Sequence, residues 1–191
     1  MRTTPSKRDS ILSSALFLFA ERGFDATTIP MIATSAGVGA GTIYRYFENK
    51  EVLVNELFQQ YVETFTHTIQ AEFPYDGEIR KQFQYIFNAM IQFTTENSHA
   101  LYFIRMHSDA HFLTKESRDC FTQLLTIFIT FFDEGKKQCK IKDLPSSVLM
   151  AIMYGAFLEL QRLVRSGEIE PESHLLTQVE ESFWDAVRLH Q

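Results

Sequence analysis

The chain has 191 residues, a net charge of −6, and 45% hydrophobic against 22% charged residues. This is the ordinary composition of a globular protein of one domain or two small ones. An acidic balance excludes a general polyanion binder. Two cysteines, Cys120 and Cys139, lie far apart without metal-like spacing, so neither a disulfide framework nor a zinc site is expected.

The charge is uneven. Residues 1–50 hold Arg2, Lys7, Arg8, Arg22, Arg45 and Lys50 against Asp9, Glu21, Asp25 and Glu48, a charge of +2 that leaves −8 for the remainder. A mildly basic head on an acidic body suits a protein that presents one end to phosphate.

In chain order, Lys7 and Arg8 precede an apolar run over residues 11–20, as in a secretory leader. Asp9 interrupts the basic region, no small-residue cleavage site precedes Glu21, and Ile11, Ala15, Leu18 and Phe19 share a helical face. A first helix is therefore expected from about Ser6 to Gly23, in a cytoplasmic protein. Thr27 or Thr28 caps a second helix, with Pro30 in its first turn and Gly37 at its end. A short third helix spans about 39–47, and Asn49 caps a fourth that runs to about Ala71.

Pro74 to Gly77 is the clearest break. Beyond it, Ile79, Phe83, Phe87, Met90 and Ile91 keep helical period, as do Leu101, Ile104 and Met106 in a shorter segment. Thr114 opens a long helix closing near Lys137, Pro145 opens another ending at Gly167, and Pro171 precedes a last one. No stretch reaches the ~18 continuous apolar residues of a membrane span. The expectation is an all-α fold of about nine helices, a three-helix head over residues 1–50 and a helical body over 51–191.

The segment 27–38 has the grammar of a helix-turn-helix. Ile32 is an apolar contact, Ala33 is small where two helices cross, Gly37 makes the tight turn, and Val38 and Ile43 fill the wedge. The next helix then presents Ala40, Gly41, Thr42, Tyr44, Arg45 and Tyr46 outward, as a helix entering the major groove does. Phe47 belongs to the core.

The run Ala36-Gly37-Val38-Gly39-Ala40-Gly41-Thr42-Ile43-Tyr44-Arg45-Tyr46-Phe47-Glu48-Asn49-Lys50-Glu51 resembles the TetR family of bacterial repressors, as do Ile11-Leu12, Ala15, Leu18-Phe19, Gly23-Phe24 and Thr27-Thr28 upstream. The likeness covers roughly residues 7–58; from about residue 75 only the helical character carries over. It implies a DNA-binding regulator, not an enzyme, with no cofactor. Thr42, Tyr44 and Tyr46 would contact phosphate or groove, Lys50 would bind phosphate, Gly41 would allow close approach, and Thr28 would offer its hydroxyl and amide to another phosphate. Arg45 is the candidate for base reading, with a plain phosphate-facing charge as the other possibility; a bidentate guanine contact is worth ~1–3 kcal/mol. Gly39 and Ala40 stand where relatives often carry Ser and Lys, which leaves fewer side chains to read sequence.

A single helix-turn-helix buries little surface, so a homodimer on a near-palindromic operator is expected. As the resemblance implies, its interface would lie on the last two helices, with Ala151, Tyr154, Gly155 and Leu158 on one stripe and Phe183, Trp184 and Val187 on the other; the competing reading is that these stripes only face their own core. The body would surround an apolar or aromatic small-molecule effector with Phe65, Phe83, Phe87, Met90, Phe103, Met106, Phe121, Phe128 and Phe157, and His107 as a polar contact. For any one of these, plain core packing is the competing reading. His107 and His111 lie one helical turn apart, but no metal is expected. The resemblance implies that release of DNA would follow a shift of the fourth helix. Competing expectations are an effector-insensitive activator or architectural binder, and a helical enzyme with an unrecognised pocket. No partnership with a membrane is expected.

Overall fold

The computed structural model describes residues 6–190. They form nine helices: α1 (Lys7–Arg22), α2 (Ile29–Ala36), α3 (Ala40–Tyr44), α4 (Lys50–Gln70), α5 (Ile79–Glu96), α6 (Ala100–His107), α7 (Lys115–Lys137), α8 (Ser146–Arg165) and α9 (Ser173–Val187). The β-geometry among them is a single antiparallel bridge between Ile141 and Arg188.

Local chemistry sets most of the boundaries. Ser6 and Asp9 close a capping box over the start of α1, and Gly23, at φ 76°, ends it. The Thr28 hydroxyl accepts from Met31 N at the start of α2, while Gly37, left-handed at φ 66°, ends that helix. Asn49 Oδ1 accepts from Val52 N and opens α4. The third helix is shorter than the expected 39–47. Arg45, Tyr46 and Phe47 donate their amides to Thr42 and Ile43 carbonyls in a closing turn, so that Asn49 is free to cap the next helix.

The chain falls into two compact units that interleave along the sequence. One takes residues up to Thr64 together with His99–Phe121; the other takes Phe65–Ser98 and Thr122–Gln191. In the first, α1 packs on α2 and on α6, and α2 packs on α3. Its core holds Ile11, Ala15, Phe19, Ile32, Ile43, Leu53, Leu57 and Phe58, each fully buried. Phe47 is buried as expected, with the Arg8 guanidinium 5.7 Å from its ring centre and paired to Glu56.

In the second unit α9 packs against α5 and α8. Rings carry the core: Phe65 stacks on Phe93 at 4.4 Å, and Phe87 meets Phe157 and Phe183 edge-on at 5.9 and 5.7 Å. Arg80 of α5 forms a bidentate pair with Glu180 of α9 at 2.6 and 2.8 Å, roofed by Trp184. By length and composition α8 is apolar enough to cross a membrane, although it lacks 18 continuous apolar residues. Its buried side chains are Ser146, Leu149, Met153, Phe157 and Leu160; Val148, Ala151, Ile152, Gly155 and Ala156 face outward.

Candidate nucleic-acid interface

The first unit gathers the helix-turn-helix residues on one surface. Ile43, fully buried, anchors α3 to the core, and Gly41 and Tyr44 on the short helix turn outward. Tyr44 is 56% exposed and Tyr46 46% exposed, with Gly39, Gly41 and Arg45 also exposed and Ala40 and Thr42 half-buried. Two large aromatics held at the surface beside an exposed guanidinium contribute little packing and are available to a partner. Glycines at 39 and 41, with open space where a side chain would stand, let the backbone approach a partner closely. Thr28 is exposed at the start of α2, and its neighbour Thr27 is fully buried, donating its hydroxyl to Leu18 and Gly23 carbonyls.

Lys50 has an internal task that its position at the start of α4 does not advertise. Its Nζ donates to the carbonyls of Phe24 and Thr27 at 2.8 and 2.9 Å and sits 3.9 Å from the Phe24 ring centre. An ammonium has three N–H donors, and two carbonyls and a ring face account for them. The side chain thereby ties the start of α4 to the loop between α1 and α2.

Two further features of this unit follow from long-range contacts. Asn55 on α4, 5% exposed, fills its whole hydrogen-bonding capacity. Its Nδ2 donates to Glu51 and Phe112 carbonyls at 2.9 Å each, and its Oδ1 accepts from Thr114 N at 2.8 Å and from Ser117 Oγ at 2.7 Å. Ser117 Oγ also accepts from Gln59 Nε2 at 2.9 Å. This cage joins α4 to the start of α7. Phe112, held by it, stacks on Phe24 at 4.0 Å, so packed contacts run from the cage to the Lys50 tie.

His107 is buried between Phe19, Phe103 and Phe112. Its Nδ1 lies 2.8 Å from the Phe103 carbonyl; since a carbonyl only accepts, Nδ1 carries the hydrogen. Nε2 then has no partner among the described residues. Burial pushes the imidazole pKa down, so the ring is held neutral.

The aromatic set expected to line an effector pocket is divided between the units. Phe103, Met106, His107 and Phe121 belong to the first, and Phe65, Phe83, Phe87, Met90, Phe128 and Phe157 to the second. Most are ring-packed and buried; Met106 is 46% exposed and Phe121 half-exposed. Other residues of the second unit surround an open groove of about 350 Å³: Ile69, Gln70, Phe73, Tyr75, Gln123, Thr126, Ile127, Thr130 and Phe131. Sequence reasoning passed over them, because Gln and Thr on a helix face read as solvated surface.

Along the last two helices, Ala151 and Gly155 are exposed, Tyr154, Leu158, Phe183 and Trp184 are half-buried, and Val187 is fully buried in its own core.

A three-helix head with a solvent-facing helix after a glycine turn defines a helix-turn-helix DNA-binding protein. Residues 11–57 match the family described as bacterial regulatory proteins, tetR family, and residues 58–189 match the tetracyclin repressor-like C-terminal domain. The chain belongs to the TetR family, a class of non-enzymatic DNA-binding transcription regulators. Over 58 residues it is 41% identical to the HTH-type transcriptional repressor KstR2 of Mycolicibacterium smegmatis, covering 30% of this chain and 28% of that one. Over 101 residues it is 32% identical to the HTH-type transcriptional regulator LuxR of Vibrio harveyi, covering 52% of this chain and 49% of the relative. The chain thus spans under half the length of these curated relatives. A TetR family transcription regulator from Marinobacter aquaeolei VT8 shares the fold, with a TM-score of 0.82 at 22% identity over 96% of each chain. The KstR2 structure from Mycobacterium tuberculosis does likewise, at 0.79 and 20% identity over 98% of each.

Proposed function

We propose that this protein is a cytoplasmic transcriptional repressor that binds a near-palindromic DNA operator as a homodimer and leaves it when an apolar small molecule binds its body. The observation that carries this reading is the surface of α3. Tyr44, Arg45 and Tyr46 stand exposed beside Gly39 and Gly41, on a helix anchored by the buried Ile43. Arg45 supplies base reading, the two tyrosines and Thr42 supply phosphate or groove contacts, and Ala40 and the glycines allow close approach. Thr28 adds a hydroxyl at the start of α2. Lys50 contributes by holding α4 against the head.

The outward face of α8 supports a second copy as its cover. Val148 and Ile152 are 43% and 40% exposed, and Ala151, Gly155 and Ala156 between them let an identical helix pack closely. Phe183 and Trp184 on α9, half-buried in their own unit, keep part of their surface for the same partner. The aromatic-rich body supports an apolar effector, and the Lys50 tie and Asn55 cage support α4 as the element whose movement carries the head.

The test is a pull-down of sheared genomic DNA by the purified protein, with sequencing of the retained fragments. Enrichment of one near-palindromic site is the expected result. Uniform retention that vanishes with modest salt would leave only phosphate attraction and refute specific regulation. Transcription that rises with protein concentration would turn the repressor into an activator.

A further inference from the structure

The groove of the second unit has a fixed wall, a neutral lining and an apolar floor. The wall is the loop between α4 and α5, where Phe73 and Tyr75 meet edge-on at 4.9 Å. A buried and a half-exposed side chain of α5 brace it. Gln82 Nε2 donates to the carbonyls of Pro74, Tyr75 and Gly77 at 3.1 Å each. The Tyr85 hydroxyl accepts from Glu72 N at 3.1 Å and donates to the Thr68 carbonyl at 3.4 Å. A loop held in this way is formed before any ligand arrives, which removes the ordering cost of binding.

The floor is Ile69 and Phe131, already buried. Along the opposite side, α7 presents Gln123, Thr126, Ile127 and Thr130, a spacing that sets them on one helical stripe. Carboxamides and hydroxyls both donate and accept, so this rim serves a neutral polar group. None of the lining side chains is charged. Gln70 is the last residue of α4, and the negative end of the helix dipole there disfavours an anion. A cation would lose its hydration without a carboxylate to replace it. A volume of about 350 Å³ falls at the small end of ligand sites.

From this geometry we infer that the groove between the end of α4, the α4–α5 loop and α7 binds a neutral, elongated, largely apolar molecule carrying a hydroxyl or carbonyl group. Its apolar length lies on Ile69, Phe73 and Phe131, and its polar group meets the Gln123–Thr130 edge. That the occupant acts as the effector rests on the proposed function; that the groove takes it does not.

Three probes of one chain length separate the chemistries: 1-decanol, decanoate and decyltrimethylammonium, each titrated calorimetrically into the full chain below its aggregation limit. The expected result is binding of 1-decanol at one site per chain, at least tenfold tighter than either ion. Ile127→Trp, which fills the groove from a half-exposed position, lowers decanol affinity at least tenfold with an unchanged melting temperature. Thr130→Asp reverses the order, with the ammonium now preferred over the alcohol. Equal binding of decanoate and decanol, decanol affinity indifferent to Ile127→Trp, or no binding by any probe would overturn the assignment. Operator retention is measured separately in the same samples. Decanol bound in the groove with operator affinity unchanged upholds the site and refutes its role as effector.

Discussion

Replacing Asn55 by Leu, a side chain of similar size with no polar atoms, removes four hydrogen bonds from the first unit. The Glu51 carbonyl keeps its helical partner, so that loss costs little. The Phe112 carbonyl, the Thr114 amide and the Ser117 hydroxyl are left short in a site where Asn55 was 5% and Ser117 0% exposed. At about 1 kcal/mol for each of three bonds, the expected loss of stability is about 3 kcal/mol. For a chain of this length that lowers the melting temperature by roughly 6–12 °C. Ser117→Ala removes a smaller part of the cage, and the double variant should cost about 1 kcal/mol less than the sum of the singles, because both act on one network. Circular dichroism melts and guanidinium titrations of the four proteins measure all of these quantities. A loss below about 1 kcal/mol for Asn55→Leu, or strict additivity with Ser117→Ala, would show that the cage is replaced by water at little cost and refute the reasoning.

Arg45→Ala lowers affinity for the selected operator about tenfold or more while changing retention of random DNA much less, read by mobility shift at fixed salt; equal losses on both would reduce Arg45 to a phosphate contact. His107 makes stability depend on pH. Its folded-state pKa lies below the unfolded value of 6.5, so its contribution is complete above that value and is lost as pH falls through it toward the folded pKa. Unfolding free energies between pH 8 and 5 should therefore fall more steeply in the natural protein than in His107→Phe. Gly155→Arg, placed in open space on the outward face of α8, leaves the fold intact and yields monomers by sedimentation; an unshifted dimer would move the interface elsewhere.

What the amino-acid order revealed, and what it hid, divides by range. The capping chemistry of Ser6, Thr28, Asn49 and the terminal glycines acts within four residues, so the ends of α1, α2 and α4 were legible. Arg45 to Phe47 were expected to prolong α3, since nothing local stops a helix there; the requirement to free Asn49 does. Asn55 and Ser117 are 62 residues apart, and neither looks unusual on its own helix. Lys50 reads as a phosphate contact from its place at a helix start; its hold on the Phe24 and Thr27 carbonyls is visible only in the fold. Aromatic content pointed to a pocket in the body but could not separate rings that pack each other from rings that face space. Four of the nine residues around the groove are glutamines and threonines, whose polarity disguised that rim.

The first unit closes around a segment that lies far along the chain, and this affects the order of events on the ribosome. The reading helices, complete by Tyr44, and the first half of α4 emerge well before His99–Phe121, which supply the partners of Asn55 and the ring that backs Phe24. At about 5–20 residues per second, the roughly 60 residues between Thr64 and Phe121 delay completion of the unit by about 3–12 s. A nascent chain stopped near Thr64 would hold α1 to α3 and still lack the segment that satisfies Asn55 and backs Phe24. The first unit is therefore completed only after the second has begun, while α8 and α9 are still to be made.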